Sequence, residues 1–247
     1  MSDAIRINKY LSEAGVCSRR EADRQIEAER ITINGRVAQM GDKVYPGDVV
    51  MYGKKVISKE EEMILIAVNK PAGIVCTSEK REKNNIVDFV NYPKRIYPVG
   101  RLDKNSHGLI LMTNQGELVN KMMRSANFHE KEYIVKVNRE LTEEFIRGMA
   151  KGVYLKDLDV STRPCQVEKV GKRTFRIILT QGMNRQIRRM CEVFHFRVLD
   201  LKRVRIMNIR LGDLREGAYR NVTPEEWEEL KNQLKDSSSE TVVPKWF

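Results

Sequence analysis

The amino-acid sequence predicts an α+β fold: a small N-terminal unit, then a larger one built on a mixed, mainly antiparallel sheet flanked by helices. Three observations point there. Helix and strand patterns interleave along the chain, and several strands alternate apolar with polar residues, as half-exposed antiparallel strands do. Asn34-Gly35 joins two short apolar runs, a strong local hairpin signal. With 247 residues, 41% of them hydrophobic, the chain can fill one large core or a medium and a small one.

Residues 1–52 read as the small unit. Ile7, Tyr10, Leu11 and Ala14 recur at helical spacing, and Gly15 supplies a stop. Ser18 and Glu21 form a capping box that opens a second helix over about residues 19–29. The Asn-Gly hairpin follows, then a turn at Tyr45-Pro46-Gly47-Asp48. Arg19, Arg20 and Arg24 gather near these junctions, either as an RNA-binding face or as an ordinary solvated surface. In order and spacing the unit resembles the RNA-binding domain named after ribosomal protein S-four. Residues 53–63 are polar and charge-rich, which suggests a linker.

The second unit spans residues 64–235. Ile64-Leu65-Ile66-Ala67-Val68 is a continuous apolar run, typical of a buried strand. Further strands are expected at 108–113, 132–137, 174–180 and 203–209. Tyr133, Val135 and Val137 share one face of the second of these, and Phe175, Ile177 and Leu179 one face of the third. Helices are expected at 86–91, 116–124, 142–150, 184–195 and 223–235. The last opens with Thr223, Pro224 and Glu226 as cap, first-turn proline and capping-box partner. From Asp236 to residue 247 the composition suggests a flexible tail.

Charge narrows the function. Forty-five Lys and Arg face 34 Asp and Glu, a net charge of +11, which favours a polyanionic partner and nucleic acid above all. The excess concentrates between residues 181 and 210, where eight basic residues meet only Glu192 and Asp200. The four cysteines and three histidines lie scattered, with no metal-binding or redox spacing. No signal segment or membrane-length apolar run appears, so a cytoplasmic, metal-free protein is expected. Phosphate-loop, dinucleotide, nucleophile-elbow and zinc-deaminase patterns are absent, which removes most support for ATP-driven, hydride-transfer and metal-assisted hydrolytic chemistry.

Three segments could carry chemistry. In Gly100-Arg101-Leu102-Asp103-Lys104, a carboxylate lies beside two cations and just before an apolar strand. Asp103 is either a turn residue or an ionised carboxylate able to act as a nucleophile. In Asn184-Arg185-Gln186-Ile187-Arg188-Arg189-Met190, a helix capped by Asn184 would place Ile187, Met190, Cys191 and Phe194 on one apolar stripe. Arg188 would then lie on the border of that stripe, with Arg185 and Arg189 directed outward to solvent or phosphate. In Lys131-Glu132-Tyr133, the aromatic ring can serve the core or receive a base. Asn69-Lys70-Pro71-Ala72-Gly73 reads as a tight turn ending the first strand.

Together, Gly100-Arg101-Leu102-Asp103 with Gly108-Leu109, Lys131-Glu132-Tyr133 and Gln186-Ile187-Arg188 resemble the three core motifs of pseudouridine synthases, in the order and spacing of the RsuA/RluB/RluE/RluF family. Asn69 to Gly73 matches the upstream motif of that family, and the wording lies closest to its RluF branch, which acts on large-subunit ribosomal RNA. The resemblance covers roughly residues 5–235. It implies isomerisation of a uridine in ribosomal RNA, without cofactor, by a chain expected to be a monomer. It implies Asp103 as nucleophile, Tyr133 stacking on the base, Arg188 pairing with Asp103 and Ile187 packing beneath the pocket. Arg101 would fill the space left by the flipped nucleotide, and Arg185, Arg189 and Lys70 would join the RNA contacts. A non-catalytic RNA-binding or ribosome-assembly factor, or a synthase acting on small-subunit RNA or tRNA, is the alternative.

Overall fold

The computed structural model describes residues 4–58, 62–79 and 81–238. Its contacts divide into two compact units. The first comprises Met1–Ile64 with Tyr92–Ile96 and Asn114–Gly116, and the second the remainder.

In the first unit, β1 (Ile5–Arg6) leads into α1 (Ile7–Glu13) and α2 (Arg19–Glu27). Then come β2 (Ile31–Ile33), β3 (Arg36–Val37), β4 (Lys43–Val44), β5 (Val50–Tyr52) and β6 (Lys55–Ile57). Ile7 and Leu11 of α1 and Ala22 and Ile26 of α2 bury one stripe each against Ile31, Ile33, Val50 and Ile57. The Ser18 hydroxyl accepts the Glu21 N–H, so half of the expected capping box forms; the Glu21 carboxylate bonds Arg24 and Gln25 instead. Asn34 and Gly35 both take positive φ, 51° and 83°, as the two-residue β2–β3 turn requires. Residues 55–57 correct the linker reading. They pair with β5 as strand β6, whose one buried side chain, Ile57, joins the core of the unit.

The second unit runs β7 (Leu65–Lys70), α3 (Ile86–Val90), β8 (Tyr97–Val99), β9 (His107–Thr113), α4 (Gly116–Met123), β10 (Lys131–Val137) and α5 (Glu143–Lys151). It continues with β11 (Tyr154–Leu155), β12 (Val160–Ser161), β13 (Gln166–Gly171), β14 (Thr174–Leu179), α6 (Gln186–Val193), β15 (Val198–Ile206), β16 (Ile209–Arg210), β17 (Tyr219–Asn221) and α7 (Pro224–Gln233). Nine of these strands form one sheet in the order β13-β14-β10-β15-β9-β7-β17, with β16 on β15 and β8 on β9. Its pairs are antiparallel except β15 with β9. One hydrophobic cluster joins β10 and β14 to α5 and α6, and a second joins β7 and β9 to α4 and α7.

The parallel pair organises the site. Parallel strands begin at the same end of a sheet, so the segment before β9 and the helix before β15 arrive together. At their crossing Gly108 faces Arg203, and a Cβ there would lie 2.3 Å from the Arg203 carbonyl oxygen. Only glycine, here at φ 98°, permits that approach. Register then draws one row across four strands: Lys70 opposite Gly108, Gly108 opposite Arg203, and Arg203 opposite Tyr133. Between the Glu132–Arg205 and Tyr133–Arg203 pairs, β15 carries one extra residue, Val204, a bulge beside that row.

Candidate active site

Residues 100–106 form the loop that carries Asp103 from β8 into β9, and the loop is held from every side through its main chain. The Leu102 N–H donates to Cys76 Sγ (3.4 Å), and the Lys104 carbonyl accepts from the Gly73 N–H (2.7 Å). The Arg101 carbonyl accepts from Arg203 Nη1 (3.4 Å), and the Asn105 carbonyl from Arg188 Nη2 (3.3 Å). Arg188 also reaches Ser106 Oγ and the Val198 carbonyl, each at 3.3 Å. Its Nε lies 4.0 Å from Asp103 Oδ2, an ion-pair distance rather than a hydrogen bond.

Arg188 sits where the helical reading places it, on the border of the stripe formed by buried Ile187, Met190 and Cys191, with Phe194 packed alongside. The helix start differs. Arg185, not Asn184, is the cap residue, in the left-handed conformation at φ 52°. The Gln186 side chain accepts the Met183 N–H just before the helix, and no side chain caps the first-turn N–H groups as Asn184 was expected to.

Together these elements enclose a cleft of about 290 Å³. Asp103, Arg101, Tyr133, Arg185, Ile187 and Arg188 all line it, so the structure gathers six of the expected site residues in one place. Arg101 is exposed at the opening, and Tyr133 is half-buried, with the Arg203 guanidinium 6.0 Å from its ring centre. Arg189 turns away to pair with Asp157 at 2.7 Å. Arg19, Arg20 and Arg24 are exposed on α2 in the first unit, Arg24 paired with Glu21.

Lys70 corrects an expectation. It is fully buried, and its ammonium donates to the Pro71 and Ile74 carbonyls at 2.8 Å each, so it shapes the turn beneath the Asp103 loop instead of meeting RNA. Burial lowers its pKa, and the nearby Asp103 carboxylate acts in the opposite direction.

A family model described as RNA pseudouridylate synthase matches residues 64–193, and an S4 domain model matches residues 5–50. The chain belongs to the RNA pseudouridylate synthase family. The dual-specificity RNA pseudouridine synthase RluF of Escherichia coli strain K12 is 52% identical to it over 98% of this chain and 83% of its own length. The ribosomal large subunit pseudouridine synthase B of Bacillus subtilis strain 168 is 32% identical, covering 92% of this chain and 95% of its own. A crystal structure of a pseudouridylate synthase superposes with a TM-score of 0.68 at 26% identity, over 92% of this chain and 99% of the other. The protein is thus an isomerase acting on RNA, with an N-terminal S4 domain. Among the described residues no helix is long and apolar enough to cross a membrane, and no three His, Cys, Asp or Glu side chains converge as a metal site.

Two further residues of the pseudouridylate synthase cleft escaped the sequence reading. Arg203 is 2% exposed and donates Nε to the Leu109 carbonyl at 2.7 Å, while its buried Nη2 has no hydrogen-bond partner among the described residues. Lys131, also buried, donates to the His129 carbonyl, and burial together with the Arg203 charge lowers its pKa to about 8. A cation buried in the middle of a strand, among Leu201, Val204 and Ile206, is the signal that could have singled out Arg203, since such groups are rare without a partner.

Proposed function

We propose that this chain converts a uridine of ribosomal RNA, in the large subunit, to pseudouridine, with Asp103 as the nucleophile. The observation that carries the reading is the Asp103 loop, fixed through its main chain by two arginines at the wall of a cleft that also holds Tyr133. A catalytic group held this way needs little reorganisation as the reaction proceeds. The N1–C1′ bond breaks and a C5–C1′ bond forms; a proton leaves C5 and one arrives at N1, so neither oxidant nor reductant is consumed.

Arg188 orients the carboxylate and stays close enough to balance its charge. Tyr133 stacks on the uracil while the base turns over, and Ile187 packs beneath it. Flipping a base out of a helix costs a few kcal/mol, which stacking on Tyr133 and phosphate contacts from Arg101 and Arg185 offset. Residues 1–52 act in RNA recognition and residues 64–235 in catalysis. The ribosomal substrate is supported by the name of the Bacillus subtilis relative, and the dual-specificity name of the Escherichia coli relative favours a second RNA substrate beside it.

Asp103→Asn tests the assignment. Pseudouridine formation in ribosomal RNA transcripts is expected to fall by about 10⁴-fold or more, with RNA affinity kept within about twofold. Normal activity in that variant would remove Asp103 from the mechanism.

A further inference from the structure

Phe128 is out of place by ordinary packing rules. Its ring is 58% exposed, and its backbone lies in the left-handed region at φ 55°, where a bulky residue is an outlier. The strain is not balanced by burial, so it is maintained for something else. The turn that carries the ring is braced. Phe128 follows the short 3-10 turn Ser125–Asn127, whose Ser125 carbonyl accepts from Arg163 Nη1 at 2.7 Å. Asn127 Nδ2 donates to the Lys121 carbonyl, also at 2.7 Å.

The Arg163 guanidinium lies 4.1 Å from the Phe128 ring centre, a stacked cation–π contact. One ring face is thereby backed by positive charge while the ring remains largely open to solvent. The pair also borders the cleft. Met123 and Lys131, on either side of Phe128 in the chain, both line it, and the Arg163 N–H donates to Gln181 Oε1 (3.3 Å), another lining residue. Gln181 Nε2 is buried there without a hydrogen-bond partner among the described residues.

We propose that the Phe128–Arg163 stack is a nucleobase platform at the rim of the cleft, which takes a base neighbouring the target uridine. Its occupant is a single-stranded RNA base, because an exposed, rigid, charge-backed ring offers a flat π-face and no edge-reading donors. The platform rests on the reading that RNA enters this cleft with its uridine at Asp103. It adds a second stacking surface to Tyr133, outside the reacting atoms, and so contributes to binding and site choice rather than to bond making.

The test uses the full chain and two readouts. Affinity is measured for a fluorescein-labelled nine-nucleotide oligouridine, and kcat and KM for pseudouridine formation in an unmodified large-subunit ribosomal RNA transcript. Phe128→Ala is expected to weaken oligouridine binding and raise KM about ten-fold each, with kcat within twofold. Phe128→Trp is expected to bind at least as well as the native chain. Phe128→Asn, which tolerates positive φ, guards against a folding defect and should bind as poorly as Phe128→Ala while melting no lower than the native chain. The slope of log affinity against log salt should be unchanged, because no phosphate contact is lost. Native affinity in Phe128→Ala, or equal losses in Phe128→Ala and Phe128→Trp, would overturn the platform. If no pseudouridine forms in the transcript while Phe128→Ala still weakens oligouridine binding, the substrate reading fails and the platform stands. If the transcript is modified and Phe128→Ala matches the native chain, only the platform fails.

Discussion

Two sets of arginines, one in each unit, are used in opposite ways. On α2 of the first unit, Arg19, Arg20 and Arg24 are exposed, and Arg24 pairs with Glu21 one turn away, its side chain 73% accessible. In the cleft of the second unit, Arg188 and Arg203 are withdrawn from solvent and donate to main-chain carbonyls of strands and of the Asp103 loop. Exposed charges are screened and interchangeable, so they suit attraction of a polyanion without regard to sequence. Buried charges are costly to desolvate and fixed in direction, so they suit the placement of one carboxylate. Net charge alone does not separate the two uses; burial does.

The sharpest way to break this contrast is to remove a buried member. Arg203→Leu leaves the Leu109 and Arg101 carbonyls without their donor and frees Tyr133 from its cationic neighbour. Urea unfolding should show a loss of about 2–4 kcal/mol, and kcat/KM should fall by about 100-fold or more. An active, stable variant would mean that the row of residues across the sheet does not hold the loop.

Lys131 provides a finer test through pH. Its folded pKa of about 8 lies below the usual 10.5, so the unfolded chain keeps the proton to higher pH. Stability linked to this group therefore rises between about pH 8 and 10.5, while the positive charge leaves the cleft and RNA affinity falls. Two opposite trends in one window mark a cation held in the cleft at a cost to the fold. In Lys131→Met both should flatten, as measured by thermal melts and oligouridine affinity from pH 7 to 9.5.

The smallest effect is expected on the surface. Arg24→Ala should change stability by less than about 0.5 kcal/mol, since exposed ion pairs contribute little. If α2 meets RNA, the salt slope of binding should drop by about one. A stability loss as large as that of Arg203→Leu would erase the distinction between the units.

Where local chemistry decides, the sequence was readable. Asn34-Gly35 forms the two-residue turn, and Thr223 with Glu226 closes both halves of its capping box at 3.2 and 3.0 Å. Arg188 is found on the border of the α6 stripe as its spacing predicts. Strand β6 was hidden because it is three residues long and buries only Ile57, too little for an alternating pattern. The start of α6 was misplaced because a left-handed arginine displaced a better capping residue. Of the tail, Ser237 bonds His129, while residues 239–247 lie outside the described part of the chain. The contacts of Arg203, whose charge within an apolar strand pattern was the one local hint, and the buried state of Lys70 were beyond reach for a different reason. Their meaning depends on which residues face each other across β7, β9, β15 and β10, and register between distant strands leaves no local mark.

Most of the bonds that fix the Asp103 loop end on peptide carbonyls and N–H groups, and Arg188 adds one to the Ser106 hydroxyl. At Lys104 and Asn105 the scaffold grips the loop through its carbonyls, without reading the side chains. Lys104 and Asn105, both exposed at its tip, can be exchanged without breaking the bonds that hold the neighbouring Asp103. The placement of the Asp103 carboxylate and the chemistry of the loop surface thus occupy the same seven-residue stretch as separately adjustable properties.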